Sequence, residues 1–302
     1  MDGILAVWKP AGWTSHDVVA KVRRMLKMKR IGHAGTLDPM VTGVLPLCLG
    51  RSTRVVEYVQ DRPKAYEAVL KLGIATDTED MTGEVLNSET VRRLSKEELM
   101  SVLERFLGEI EQVPPMFSAV KVDGKRLYEL AREGKTVERK SRKVRIYRIE
   151  LGSCELEMEQ PEITFAVECS KGTYIRTLCV DIGKALGVPA AMKSLTRTMS
   201  GGITSEQCLT LEQIEAMQAS GELEDRLIAP EQAISHIPAA VVTEEAAAKA
   251  LRGQKLSLKS ASVDRAWNQG ELFRVMDESG QFIGIFECDM DIYGLRPVKV
   301  FS

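Results

Sequence analysis

Long apolar runs are missing from this 302-residue chain: none approaches the 18 residues that a membrane-crossing helix requires. The opening stretch, Met1-Asp2-Gly3-Ile4-Leu5-Ala6-Val7-Trp8, has neither a basic head nor a long apolar segment. A secretory leader is therefore not expected there, and the stretch reads as a first strand. Histidine is scarce, at His16, His33 and His236. None of the six cysteines (Cys48, Cys154, Cys169, Cys179, Cys208 and Cys288) stands in a C-x-x-C pair. So sparse a supply offers no zinc-ligand spacing, and no metal site is expected. The cysteines read as small buried hydrophobes in a reducing cytoplasm rather than as a disulfide framework. No internal repeat or low-complexity tract is present.

Net charge is also small, −2 overall, but it is unevenly distributed. Residues 1–64 hold eleven Lys and Arg against five acids, and residues 135–148 hold seven against Glu138 alone. Residues 205–245 hold nine acids against Arg226. Two basic blocks on a soluble chain suggest a polyanion as partner, although a solvated surface would carry the same charges. The composition, 44% hydrophobic and 28% charged, is that of an ordinary globular protein. The length suits one large domain with a smaller one, or two domains.

Along the chain, Ile4–Trp8 reads as a strand. Ser15 reads as the N-cap of a helix carrying Val18, Val19, Val22, Met25 and Leu26 on its apolar stripe. Ile31–Pro46, rich in Gly, Pro and Thr, reads as an ordered loop, a favoured place for chemistry. Tyr66–Gly73 reads as a strand, and Ser95-x-x-Glu98 as a capping box opening a helix of about 12 residues. After Pro114-Pro115 the stretch 119–148 looks like an inserted basic arm, with a turn at Asp123-Gly124 and a short helix over Leu127–Glu133. Strands follow at 143–152 and 162–169, then a helix over Tyr174–Leu186 with Gly187 as its cap. Thr210-x-x-Gln213 opens another helix. Beyond residue 237, a short helix (Glu244–Leu251), a hairpin (Leu272–Met276 with Phe282–Phe286) and a last strand (Val298–Phe301) suggest a small β-barrel-like domain.

The loop Gly32-His33-Ala34-Gly35-Thr36-Leu37-Asp38-Pro39 is the most informative stretch. A carboxylate between Gly and Pro residues sits on a fixed backbone, which saves the entropy of positioning it. Alone, Asp38-Pro39 is more simply a turn initiator. Together with Gly43-Val44-Leu45-Pro46, Lys9-Pro10-x-Gly12-x-Thr14-Ser15, Tyr66 and Gly172-Thr173-Tyr174-Ile175-Arg176-Thr177-Leu178, however, the loop resembles the motif set of the bacterial tRNA pseudouridine-55 synthases, the TruB family. The resemblance spans about residues 3–200 and is looser after 237.

That resemblance implies an α+β fold: a mixed, largely antiparallel central sheet flanked by helices and loops, followed by a small PUA-like RNA-binding domain. The implied boundaries are 1–236, with the arm at about 119–148, and 237–302. It implies Asp38 as the essential carboxylate, Arg176 as its cationic partner, and Tyr66 as the aromatic that stacks on the target base and assists proton transfer. Tyr174 and Leu195 would line the uridine pocket, His33 would contact the flipped nucleotide, and Lys9 would support the loop or touch RNA. Lys125, Arg126, Arg139, Lys140, Arg142 and Lys143 would supply the arm's RNA contacts. The implied partner is the tRNA T stem-loop, bound by a cytoplasmic monomer with no obligate protein partner and no membrane. The isomerisation changes no oxidation state and loses no atom, so no cofactor is expected.

Two features read as bland. Asp77-Thr78-Glu79-Asp80 lacks calcium-loop spacing and reads as a turn, and Ser15-His16-Asp17 are sequence neighbours that seldom make a triad. Three competing readings are a guide-RNA-dependent relative of the same superfamily, a tRNA-folding chaperone, and a general RNA-binding protein. The last gives no reason for the Asp38 loop.

Overall fold

The computed structural model describes residues 1–122 and 124–302; Asp123, in the expected Asp123-Gly124 turn, lies outside the described residues. Nine strands form the central sheet: β1 (Gly3–Lys9), β2 (Ile31–His33), β3 (Thr42–Leu49), β4 (Lys64–Leu72), β5 (Gly108–Gln112), β6 (Arg142–Glu155), β7 (Glu162–Cys169), β8 (Ala190–Ser200) and β9 (Ile203–Thr204). Their order is β1-β3-β8-β4-β7-β6-β5, with β2 paired to β3 and β9 to β8. Only the β3–β8 pairing is parallel, setting Thr42 beside Thr196 and Gly43 beside Arg197. The sheet is thus mixed and largely antiparallel, as expected.

Helix α1 (Ser15–Met25) lays Val18, Val19 and Val22 on Leu5, Val7, Leu45 and Leu47. On the other half of the sheet, α2 (Lys96–Glu104) and α4 (Ile175–Leu186) cover Leu70, Phe165 and Val167. A short helix, α3 (Leu127–Arg132), lies in the arm, and α5 (Leu211–Ser220) follows the sheet. The chain after β9 returns to β1, bonding Leu209 and Ile228 to its edge.

The C-terminal part holds β10 (Ala239–Val242), α6 (Glu244–Leu251), β11 (Leu256–Ser257), β12 (Ala261–Ser262), β13 (Leu272–Asp277), β14 (Phe282–Asp289) and β15 (Gly294–Val300). These six strands make a nearly closed barrel-like sheet in the order β11-β15-β14-β13-β10-β12. Phe282, Ile285 and Phe301 share an apolar cluster with Ile4, Ala6, Val44 and Cys48. The barrel-like sheet is therefore packed against β1 and β3, and the Asp38 loop leads into β3.

Some local expectations change. The N-cap of α1 is Thr14, whose hydroxyl accepts from the Asp17 amide while the Asp17 carboxylate accepts from the Thr14 amide. Ser15 is buried instead, tied to Leu37. Helix α2 is nine residues, capped by Ser95 alone. The last strand runs Gly294–Val300, earlier than the expected 298–301. Residues 142–148 belong to β6, where Arg142 and Lys143 pair with Gln112 and Glu111 of β5, so the arm ends before them. Their largely alternating exposure is that of a half-buried strand, whose charged residues lie on its open face. All six cysteines are free thiols.

Candidate active site

Asp38 lies on the loop between β2 and β3, and its neighbours fix that loop from several directions. The Leu37 amide donates to the buried Ser15 hydroxyl at 2.9 Å. The Gly12 amide donates to the Pro39 carbonyl at 2.9 Å, and the Ala34 amide to the Pro46 carbonyl at 2.9 Å. Arg197 on β8, 1% exposed, donates Nε to the Val44 carbonyl at 2.8 Å and Nη2 to the Gly35 carbonyl at 3.1 Å. A β-carbon on Gly43 would lie 2.2 Å from the Arg197 carbonyl oxygen, so only glycine admits this strand contact.

Lys9 is fully buried at the end of β1. Its ammonium donates to the carbonyls of Pro10 (2.8 Å), Trp13 (2.6 Å) and Pro39 (2.9 Å). Burial pulls its pKa down to about 8, with Asp38 pulling it back up. The geometry gives Lys9 loop support rather than a free cation facing substrate. Lys9→Met is expected to strand these three acceptors, costing about 2 kcal/mol or more. The unfolding midpoint should fall and turnover with it; an unchanged midpoint would contradict the support role.

Arg176 sits in the first turn of α4 and reaches Asp38 from the opposite wall. Its Nη2 lies 3.1 Å from Asp38 Oδ2, and its Nη1 3.8 Å from Asp80 Oδ2. The same guanidinium donates to the Thr78 carbonyl at 3.0 Å and the Phe117 carbonyl at 2.8 Å. Just ahead of α4, the Tyr174 backbone is clamped by Gln112, whose amide accepts from Tyr174 N at 3.0 Å and donates to Tyr174 O at 3.1 Å. Arginine suits this place because it stays charged when desolvated and offers several donors in a rigid fork.

The Asp38 side chain is 46% accessible through the cleft mouth, yet the enclosing protein removes much of its bulk water. Desolvation pushes its pKa up, Arg176 pulls it down, Asp80 pushes it up and Lys9 pulls it down, with a net shift above the ordinary 3.8. A carboxylate that works ionised therefore loses activity as pH falls, starting at a higher pH than a free aspartate would. Single-turnover rates measured against pH should show that acidic limb, and a limb at or below the ordinary carboxylate range would contradict it.

Asp38, Tyr66, Tyr174, Leu195 and Arg176 line one cleft of about 420 Å³, within the range of small-ligand sites. Burial raises the Tyr66 pKa, opposed in part by Arg197, so the ring is a neutral phenol at neutral pH. His33 lines an adjoining recess of about 910 Å³ that shares Asp38 and Arg176 with the cleft and also holds His16, Lys121, Arg126, Tyr128 and Arg132. Burial lowers the His33 pKa, with His16 and Arg197 adding to the effect. Its Nδ1 has no hydrogen-bond partner among the described residues.

The six basic residues expected to touch RNA do not share one environment. Arg126 lines the recess and, with Arg132, stacks on Tyr128. Arg142 lines the cleft, and Lys140 is exposed. Lys125 and Lys143 pair with Glu133 (3.7 Å) and Glu109 (2.8 Å). Arg139 turns inward and donates to the Pro114 carbonyl at 3.0 Å.

Sequence reasoning missed Asp80, Thr78, Arg197, Gln112 and Lys64. The cleft-lining Lys64 donates to the Gln60 and Arg62 carbonyls, and burial lowers its pKa to about 8. One available signal was an arginine and a glutamine at inward positions of strands. The other was the density of threonine and acid at 76–82.

A fixed aspartate paired with a buried arginine stands beside a tyrosine in one cleft, in a chain whose family is that of the pseudouridine synthases and whose fold recurs in solved structures. One titled as a Cbf5-Nop10-Gar1 complex superposes with a TM-score of 0.79 at 29% identity, covering 99% of this chain and 85% of that one. Another, titled as an H/ACA RNP bound to a substrate RNA containing 2'-deoxyuridine, gives 0.77 at 26% identity, covering 99% and 85%. The chain belongs to the TruB family: the TruB family pseudouridylate synthase N-terminal domain matches residues 23–175. The tRNA pseudouridylate synthase B C-terminal domain matches 176–235, and the pseudouridine synthase II TruB C-terminal domain matches 238–294. Among its relatives, tRNA pseudouridine synthase B of Bacillus licheniformis is 49% identical over 99% of this chain and 97% of that protein. The Bacillus subtilis protein of the same name is 43% identical over 99% and 97%.

Proposed function

We propose that the protein converts the uridine at position 55 in the T loop of tRNA to pseudouridine, acting alone as a cytoplasmic monomer without a cofactor. The single observation carrying this reading is the 3.1 Å contact between Asp38 and Arg176 at the base of the cleft that also holds Tyr66, Tyr174 and Leu195. The full-length relatives named tRNA pseudouridine synthase B support the choice of RNA. Residues 1–236 would form the catalytic unit, and 237–302 an RNA-binding module.

The target uridine must leave its stack to enter the cleft, at a cost of a few kcal/mol. Stacking on Tyr66 returns part of that cost. The N1–C1′ bond then breaks, the uracil turns within the cleft, and C5 bonds to C1′. The C5 proton leaves and N1 gains one, so atoms and electrons balance. Asp38, held ionised by Arg176, serves this sequence by attacking carbon or by countering positive charge on the sugar. Tyr66 lies against the base, where the C5 proton has to leave. His33, Lys121, Arg126 and Arg132 offer hydrogen bonds and charge to the flanking nucleotides.

The discriminating experiment incubates the purified protein with an unmodified tRNA transcript and no other RNA or protein. Pseudouridine should appear at position 55. A requirement for added guide RNA or protein partners would contradict independent action.

A further inference from the structure

Glu79 and Arg139 remain without a role in the reaction, and both lie behind Arg176, away from the cleft. Glu79 has φ +66°, a left-handed conformation that costs a residue with a β-carbon about 1 kcal/mol or more. Its backbone is locked there: the Glu79 carbonyl accepts from the Met192 amide at 3.0 Å, and the Met81 amide donates to the Met192 carbonyl at 3.2 Å. The Glu79 carboxylate accepts from the Thr177 hydroxyl at 2.7 Å, one residue beyond Arg176 on α4. Three successive residues of this turn therefore grip the start of α4. Thr78 offers its carbonyl to Arg176, Glu79 its carboxylate to Thr177, and Asp80 its carboxylate to Arg176.

Arg139 approaches from the arm. It donates to the Pro114 carbonyl at 3.0 Å, in the same short loop whose Phe117 carbonyl accepts from Arg176 at 2.8 Å. Arg139 and Glu79 face one cavity of about 330 Å³, together with Asp77, Met116 and Lys184. The charged groups that act on Glu79 are Arg176 and Asp181 of α4 and Arg139 of the arm. Asp38, Asp80 and Glu79 put three carboxylates around or beside Arg176, and Arg139 is the cation that the arm adds.

We propose that Arg139 and Glu79 are positioning residues that couple the arm to Arg176. Arg139 anchors the arm on the Pro114–Phe117 loop, facing Glu79 across the shared cavity, and does not bind RNA phosphate. Glu79 ties the Thr78–Asp80 turn to α4, so that the turn's acceptors meet the guanidinium at a fixed depth. The proposal rests on the pseudouridine synthase reading above, because its readout is the rate at which Arg176 and Asp38 act.

The test compares Arg139→Gln, Glu79→Gln, their double variant and Arg126→Gln in the full chain. Two quantities are measured with an unmodified tRNA transcript: the single-turnover rate of pseudouridine formation at saturating enzyme, and the slope of log Kd against log salt concentration. Arg139→Gln should lower the saturated rate about ten-fold and leave the salt slope unchanged. Glu79→Gln should do the same, and the double variant should be no slower than the slower single one. Arg126→Gln should instead reduce the salt slope by about one. If Arg139→Gln reduces the salt slope by about one and leaves the saturated rate unchanged, Arg139 is an RNA contact and the proposal fails. If the losses of the two single variants multiply, the two residues are not coupled and it also fails. Should Arg139→Gln unfold, as a lowered thermal midpoint would show, Glu79→Gln carries the test, and an unchanged saturated rate there overturns the proposal. Failure of the wild type to modify the transcript would count against the function reading instead.

Discussion

Arg176→Lys is expected to slow the saturated single-turnover rate by about 10²- to 10³-fold, with tRNA affinity within a few-fold of wild type. Arg176 makes four contacts at once: with the Asp38 and Asp80 carboxylates and with the Thr78 and Phe117 carbonyls. A lysine ammonium has one nitrogen and cannot span both walls of the cleft, so Asp38 loses its fixed partner although a positive charge remains. Affinity should be spared because Arg176 is buried at the base of the cleft and offers little surface to a large partner. Arg176→Gln goes further by removing the charge that pulls the Asp38 pKa down, so the acidic limb of its pH profile should move to higher pH. An unchanged limb in Arg176→Gln, or a full-rate Arg176→Lys, would show that the pair does not govern the chemistry.

Asp38→Asn is expected to reduce the rate by at least about 10⁴-fold, the scale seen when a reacting group is removed from an otherwise intact site. Asparagine keeps the shape and a hydrogen-bonding oxygen but cannot carry the negative charge. The fold should not suffer. The folded protein raises the Asp38 pKa, so its ionised form is disfavoured in the fold relative to the unfolded chain at neutral pH. A neutral replacement should therefore leave the unfolding midpoint unchanged or slightly higher. Activity and stability should part, which distinguishes a functional carboxylate from one that merely holds the loop.

Much of the fold was legible because local chemistry and tertiary context agree. The α4 helix ends at Gly187 in a left-handed conformation, and α5 opens with the reciprocal bonds of Thr210 and Gln213; both follow from residue type. Ser15 shows why other details were not legible. As a helix-start serine it matches the cap pattern, but the loop 22 residues away claims its hydroxyl, and the adjacent Thr14 takes the cap. The Asp38 loop stood out because its glycines and prolines are local. Its partners did not: Arg197, Gln112 and the Asp80 turn reach the site across strands and helices distant in sequence. The Asp77–Asp80 turn looked bland because its acids match no metal spacing; Asp80 meets a guanidinium 96 residues further on, and Glu79 the hydroxyl of Thr177. The basic arm was legible as charge but not as structure. Its charge is real, but Arg142 and Lys143 belong to a sheet strand, and Arg139 faces inward.

The central claim is that the Asp38 carboxylate, paired with Arg176, rearranges a uridine in the T loop. The most direct measurement maps pseudouridine by mass, nucleotide by nucleotide, in an unmodified tRNA transcript treated with the wild-type protein or with Asp38→Asn, with tRNA binding measured alongside. The account predicts pseudouridine at position 55 with the wild type, and none with Asp38→Asn despite near-normal binding. Pseudouridine at that position with Asp38→Asn, at a rate comparable to wild type, would contradict it.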